Sequence, residues 1–183
     1  MPQVAVIVGS LRRESINRKL ALALAGLAKP KGLEFALLKL DDLPIYNEDL
    51  WENPPAAVLR LKQEIKAADA VLFVTPEYNR GIPALVKNVV DWGSRPMAET
   101  VWTGKPAAIV GASPGAIGTA VAQAQLRTIL TPLGVALVSR PEVYISLKPG
   151  ALDAENQVAD EGLKKVLNNF LDAFAKWIAR VKA

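Results

Sequence analysis

Neither cysteine nor histidine occurs in the 183-residue chain. Their joint absence excludes disulfide bridges, thiolate-bound zinc, a cysteine nucleophile, the Ser-His-Asp triad and imidazole acid–base chemistry. Any catalysis must come from a carboxylate, from an oxygen-ligated metal or from a bound cofactor that carries the hard chemistry. Long apolar runs are missing too, since no stretch approaches the roughly 20 residues of a membrane-spanning helix. The segment Met1-Pro2-Gln3-Val4 lacks the basic start of a signal peptide. A cytoplasmic protein with no membrane partner is the expectation. The basic side chains are dispersed, and 22 Lys and Arg against 18 Asp and Glu leave a net charge of +4. That balance favours small anionic ligands and gives no reason to expect a nucleic-acid partner.

What the chain has in abundance is apolar surface. At 51% hydrophobic residues, 1–183 can form one domain with a sizeable core. Runs rich in valine, isoleucine and leucine alternate with segments of helical period, the pattern of a parallel sheet buried on both faces. Strands are expected over 3–8, 34–40, 70–75, 107–111 and 135–138, and helices over 15–28, 56–67, 83–92, 118–130 and 158–181. The fold class is therefore α/β: a single doubly wound five-stranded parallel sheet with helices on both faces. Residues 41–55 fit neither period, and an irregular stretch of that length reads as a functional flap or an interface. Ligands of such sheets bind beyond the carboxyl ends of the strands, where the strand order reverses. Attention falls on the loops after the first, third and fourth strands.

The first of these reads Gly9-Ser10-Leu11-Arg12-Arg13-Glu14-Ser15-Ile16-Asn17-Arg18. It gathers polar side chains at a helix start, where unpaired N–H groups and the positive dipole end hold anions. Ser10, Ser15 and Asn17 can donate to phosphate oxygens, and Arg12 adds a charged contact. Ser15 serves equally well as a plain helix cap beside solvated arginines. Neither G-x-G-x-x-G nor a P-loop is present, and no nucleotide 2′-phosphate site is recognisable. In Thr75-Pro76-Glu77-Tyr78-Asn79-Arg80-Gly81-Ile82-Pro83, two prolines fix backbone direction and Gly81 permits a tight turn. This loop can offer backbone groups to the edge of a flat heterocycle, with Tyr78 over a face or in a second substrate's pocket. Arg80 is a candidate for added positive field. The third loop, Gly111-Ala112-Ser113-Pro114-Gly115-Ala116-Ile117-Gly118, is small enough for close approach of a planar group, and Ser113 can bond to it. Each loop alone is also an ordinary cap, turn or packing segment; together they suit a phosphorylated planar heterocycle.

These residues resemble the NAD(P)H-dependent FMN reductases of flavodoxin-like fold, which include bacterial quinone and chromate reductases. The resemblance runs through Gly9-Ser10-Leu11-Arg12 with Ser15 and Asn17, Leu43-Pro44-Ile45-Tyr46-Asn47 and Thr75-Pro76-Glu77-Tyr78-Asn79. It continues through Ile82-Pro83, Lys87-Asn88, Asp91-Trp92 and Gly111-Ala112-Ser113, leaving only 149–183 without a signature. It implies noncovalent FMN, with Ser10, Arg12, Ser15 and Asn17 around the phosphate, Pro76, Glu77, Tyr78 and Asn79 beside the isoalloxazine, and Ser113 and Gly115 completing the surroundings. Tyr78, Arg80 and Tyr46 would form the substrate pocket. The co-substrate implied is NADPH or NADH, and the acceptor a small molecule such as a quinone, a flavin, an azo compound or chromate. No catalytic side chain and no metal is required, because the cofactor carries the hydride chemistry. The resemblance further implies a homodimer or homotetramer, although Val121 and Ala124 stand where some relatives carry an arginine and a tyrosine of a tetramer contact. The alternative is a flavodoxin-like electron carrier serving a protein partner; the net charge of +4 runs against the acidic docking face such a carrier would show.

Overall fold

The runs that are apolar throughout take the middle of the sheet. In the computed structural model, which describes residues 1–183, β1 (Gln3–Val8), β3 (Ala70–Val74) and β4 (Pro106–Ser113) are buried almost end to end. β2 (Glu34–Leu37) alternates exposed and half-buried residues and lies at the edge beside β1. With β5 (Ala136–Leu137) beyond β4, the order is β2-β1-β3-β4-β5, and every pairing is parallel. This is the 2-1-3-4-5 order of flavodoxin-like folds, with its reversal between β1 and β3.

Successive strand residues point to opposite faces, which divides the core in two. Val4, Val6, Leu72 and Val110 pack with α1 (Ile16–Ala28) and α5 (Glu161–Lys182). Ala5, Ile7, Val71, Phe73 and Ile109 pack under α2 (Ala56–Ala67), α3 (Ala84–Ser94) and α4 (Ala120–Leu130). α5 buries Leu167, Phe170, Leu171, Phe174 and Ile178. At about 1.5–3 kcal/mol for each large apolar side chain, that face dominates the docking of the last helix. Val166, next to Leu167 in the chain, is 45% exposed and lies off that face.

The far edge of the sheet departs from expectation. The stretch 135–138 supplies only the two residues of β5, paired with Pro106 and Ala107. A sixth strand, β6 (Tyr144–Ser146), pairs with Gly111, Ala112 and Ser113. The fifth position is thus filled by two short strands in tandem, because β4 is eight residues long and β5 matches only its first part. Tyr144-Ile145-Ser146 is too short for its alternation to stand out in the sequence. β2 likewise stops at Leu37, short of the expected 40. α4 starts at Ala120 because Gly118 has a φ of +64°, and a Cβ there would sit 2.8 Å from the Ile145 nitrogen. Only glycine meets both conditions, and this brings the third loop against β6.

Candidate functional site

The carboxyl ends of β1, β3 and β4 carry the three loops singled out by the sequence. Ser15 caps α1: its backbone is extended and its Oγ accepts the Arg18 N–H at 3.2 Å. The N–H groups of Ile16 and Asn17 begin the helix and have no intrahelical acceptor. Both residues line a cavity of about 130 Å³ together with Ser10, Arg12 and Ser15 from the first loop, Pro76, Glu77 and Tyr78 from the second, and Ala112, Ser113 and Pro114 from the third. Glu77 and Ser113 also border a second cavity of about 350 Å³, which adds Arg80, Gly115, Ala116, Ile117 and Gly118. The two adjoin and together reach the size range of small-molecule sites, roughly 300–1,000 Å³. A Cβ added to Gly115 would meet only the Ser113 hydroxyl, at 3.7 Å, so that wall is open to a flat group. One end thus offers hydroxyls, free backbone N–H groups and the exposed Arg12 guanidinium; the other offers small residues and an aromatic. That donor set fits the phosphate and the planar ring of FMN.

The roles of several residues change once their partners are seen. Asn17 is buried, its Nδ2 donating to the Ala112 carbonyl at 2.8 Å and its Oδ1 accepting the Ala112 N–H at 2.9 Å. It clamps the first loop to β4, leaving one side-chain N–H and its backbone N–H for a ligand. Ser113 donates its hydroxyl to the Gly118 carbonyl at 2.6 Å, closing the third loop, so toward a ligand it can only accept. Glu77 accepts the Ala122 N–H at 3.0 Å. Ala122 is the third residue of α4, and Thr119 makes no side-chain cap bond there. Glu77 therefore serves as a cap supplied from another loop.

The tight turn in the second loop does not rest on Gly81. Tyr78 and Gly81 exchange both backbone hydrogen bonds at 3.0 Å, and the left-handed residues between them are Asn79, φ +50°, and Arg80, φ +63°. Both central residues at positive φ make the two-residue turn suited to strand twist. The conformation costs Arg80 about 1–2 kcal/mol, and Arg80 Nη1 lies 3.4 Å from Glu77 Oε1. Tyr78 is 52% exposed at the tip. Asn79 lines neither cavity.

Tyr46 is the expected pocket residue that the structure keeps apart from Tyr78 and Arg80. Its ring packs edge-on against Trp92 with centroids 4.9 Å apart, away from both cavities. The cause is α3. Asn88 accepts the Tyr46 N–H at 2.8 Å and donates to the Pro44 carbonyl at 2.9 Å, and Trp92 Nε1 donates to the same carbonyl at 2.8 Å. The start of the 41–55 loop is held by Arg60, which makes two bonds to Asp42, at 2.8 and 2.9 Å. That guanidinium holds the Asp42 carboxyl far below the usual carboxylate range. Asn88 and Trp92 thus acquire a role that their motif alone did not disclose. Gln125 was missed altogether: from α4 its Oε1 accepts the Ile82 N–H at 2.8 Å and steadies the second loop. A polar residue on an exposed helix surface carries no sequence signal for that contact.

The family model described as NADPH-dependent FMN reductase matches residues 2–150. A 2-hydroxy-1,4-benzoquinone reductase from Burkholderia sp is 45% identical over 96% of this chain and 96% of its own length. A quinone reductase from Pseudomonas putida is 46% identical over 96% of this chain and 94% of its own. Among solved structures, FerB, a flavoenzyme NAD(P)H:(acceptor) oxidoreductase from Paracoccus denitrificans, is similar with a TM-score of 0.95 and 49% identity, covering 98% of both chains.

Proposed function

The chain belongs to the NADPH-dependent FMN reductase family, and on that premise we propose that residues 1–183 act as one FMN-binding domain that takes a hydride from NADH or NADPH and passes electrons to a quinone-type small molecule. The observation that carries this reading is the convergence of three loops on one cavity system, with an anion-binding donor set at one end and a small-residue wall at the other. When bound, FMN supplies the hydride and electron chemistry that no side chain here can supply. Ser10, Ser15, the Ile16 and Asn17 N–H groups and Arg12 hold the phosphate. Asn17 and Glu77 fix the three loops relative to one another, so these groups stand ready without reorganising. Pro76, Glu77 and Tyr78 border the ring, with Ser113 and Gly115 at its far side, while Asn79, which lines neither cavity, shapes the turn behind them. Tyr78 covers one face and excludes water, and Arg80 adds positive field.

The protein works as a homodimer or homotetramer in the cytoplasm. Ile45, 77% exposed, and Met97, 62% exposed, flank α3 and support a subunit contact there. Tyr46 lies beside Ile45 and reaches a substrate only through such a contact.

The test is anaerobic mixing of the FMN-loaded, yellow protein with NADH or NADPH. Prompt bleaching, followed by turnover with a benzoquinone, is expected. A protein that binds FMN and stays yellow would instead be an electron carrier serving a protein partner. Arg12→Ala should weaken FMN binding roughly 10- to 100-fold, the effect of removing a charge-assisted bond. Unchanged affinity in a flavin titration would remove the phosphate contact.

A further inference from the structure

Next to the flavin cradle lies a larger cavity, of about 480 Å³, that the flavin reading leaves without a guest. It opens at the carboxyl ends of β1 and β2 and shares Ser10 and Arg12 with the cradle. Arg12, Arg13, Arg18 and Lys39 stand on its wall against a single carboxylate, Asp41. The other acids nearby are engaged elsewhere: Glu14 pairs with Lys19 at 2.8 Å, and Asp42 pairs with Arg60 at 2.8 Å and Lys39 at 3.4 Å. None of the three arginines has a carboxylate within ion-pair distance. A phosphomonoester carries about −1.5 to −2 charges at pH 7. Of the three guanidiniums only Arg12 also lines the flavin cradle, which leaves Arg13 and Arg18 for another such anion.

The same cavity has an apolar side. Leu11, 60% exposed on the first loop, lines it together with Leu38. A phosphate needs no such side chain, whereas a flat base does. Guanidinium forks beside leucines describe a nucleotide with a terminal phosphate, and Arg is the residue that accepts a 2′-phosphate in dinucleotide sites.

We propose that this cavity takes the adenosine end of NADPH, with Arg13 and Arg18 on the 2′-phosphate, and so makes NADPH the preferred hydride donor. The inference rests on the flavin reading of the adjoining cradle. A co-substrate with its nicotinamide over the ring runs past Arg12 and ends between Leu11 and the two outer arginines.

The test uses the FMN-loaded protein and two probes that differ only in the 2′-phosphate, adenosine 2′,5′-bisphosphate and adenosine 5′-monophosphate, titrated by calorimetry. The bisphosphate should bind tighter, and Arg13→Ala/Arg18→Ala should remove that advantage by roughly 10- to 100-fold while FMN content stays intact. The KM for NADPH should rise by the same factor while that for NADH holds. The charge-reversing Arg13→Glu should act in the same direction. Equal binding of the two probes by the parent protein overturns the proposal. So does a double variant that loses FMN and keeps the probe ratio, which would assign both arginines to the flavin phosphate. Failure of the flavin reading shows itself separately and overturns the proposal as well: neither nucleotide bleaches the protein.

Discussion

Glu77 shows how a residue chosen for one property can be held by another. Its place in a polar loop at a strand end marks it for the ring's border, yet its carboxylate reaches across to the Ala122 N–H. The two positions are 45 apart in sequence, so no local pattern announces the contact. Glu77→Ala removes the only side-chain acceptor for that first-turn N–H and should cost about 1–2 kcal/mol. The measurement is thermal unfolding at fixed FMN concentration, since bound ligand shifts the midpoint by mass action. Glu77→Gln keeps an acceptor and should lose less. Asn17 follows the same logic over a longer span: its amide bonds Ala112 from 95 positions away. The sequence marked its position; the crossover of α1 over β4 decided which of its atoms remain open to a ligand.

Among the elements, the loop over 41–55 and α3 behave as one unit. Asn88 and Trp92 lie one turn apart on α3 and both reach the Pro44 carbonyl, while Asn88 also takes the Tyr46 N–H. Lys87 and Asp91 form their own i,i+4 pair at 2.6 Å on the exposed side of the helix. The two dipeptides of the motif thus divide by face, one residue of each holding the loop and the other facing water. Asn88→Ala leaves the Tyr46 N–H without its acceptor and should cost about 1–3 kcal/mol. Because α3 keeps its core contacts, the loss should fall on the loop, read as faster proteolysis between Leu43 and Trp51. Helices were legible to within a few residues because each carries a continuous 3.6-residue period. β6 was not, since three residues repeat nothing.

For the whole molecule, acid should act through carboxylates that tie distant parts together. Asp69 precedes β3, pairs with Lys182 in the last turn of α5 and accepts the Gln3 N–H at 2.7 Å. Those bonds, the lysine's first, hold its carboxyl below the ordinary value, as Arg60 does for Asp42. A carboxyl depressed in the folded state stabilises the fold above its unfolded pKa of about 3.9, and that stability is lost as pH falls through the folded value. Denaturation midpoints should therefore drop below about pH 4, and Asp69→Asn should unfold at a midpoint that converges with the parent protein as pH falls. A gap that stays constant across that range would show that Asp69 does not titrate with folding.

The chain's local patterns determined the parallel sheet, its helices and the edge at which ligands bind, because burial on both faces and helical period are properties of neighbouring residues. The absence of cysteine and histidine, likewise readable without a structure, left any chemistry to a carboxylate, an oxygen-ligated metal or a cofactor, and the three loops with the family resemblance selected the cofactor. Only the tertiary structure decided that the fifth strand is split, that Tyr46 is drawn to Trp92, and that Arg12, Arg13 and Arg18 share one cavity with leucines from the neighbouring strand end. Those outcomes depend on which segments the crossovers bring side by side. Contacts between positions tens of residues apart leave no period in the chain.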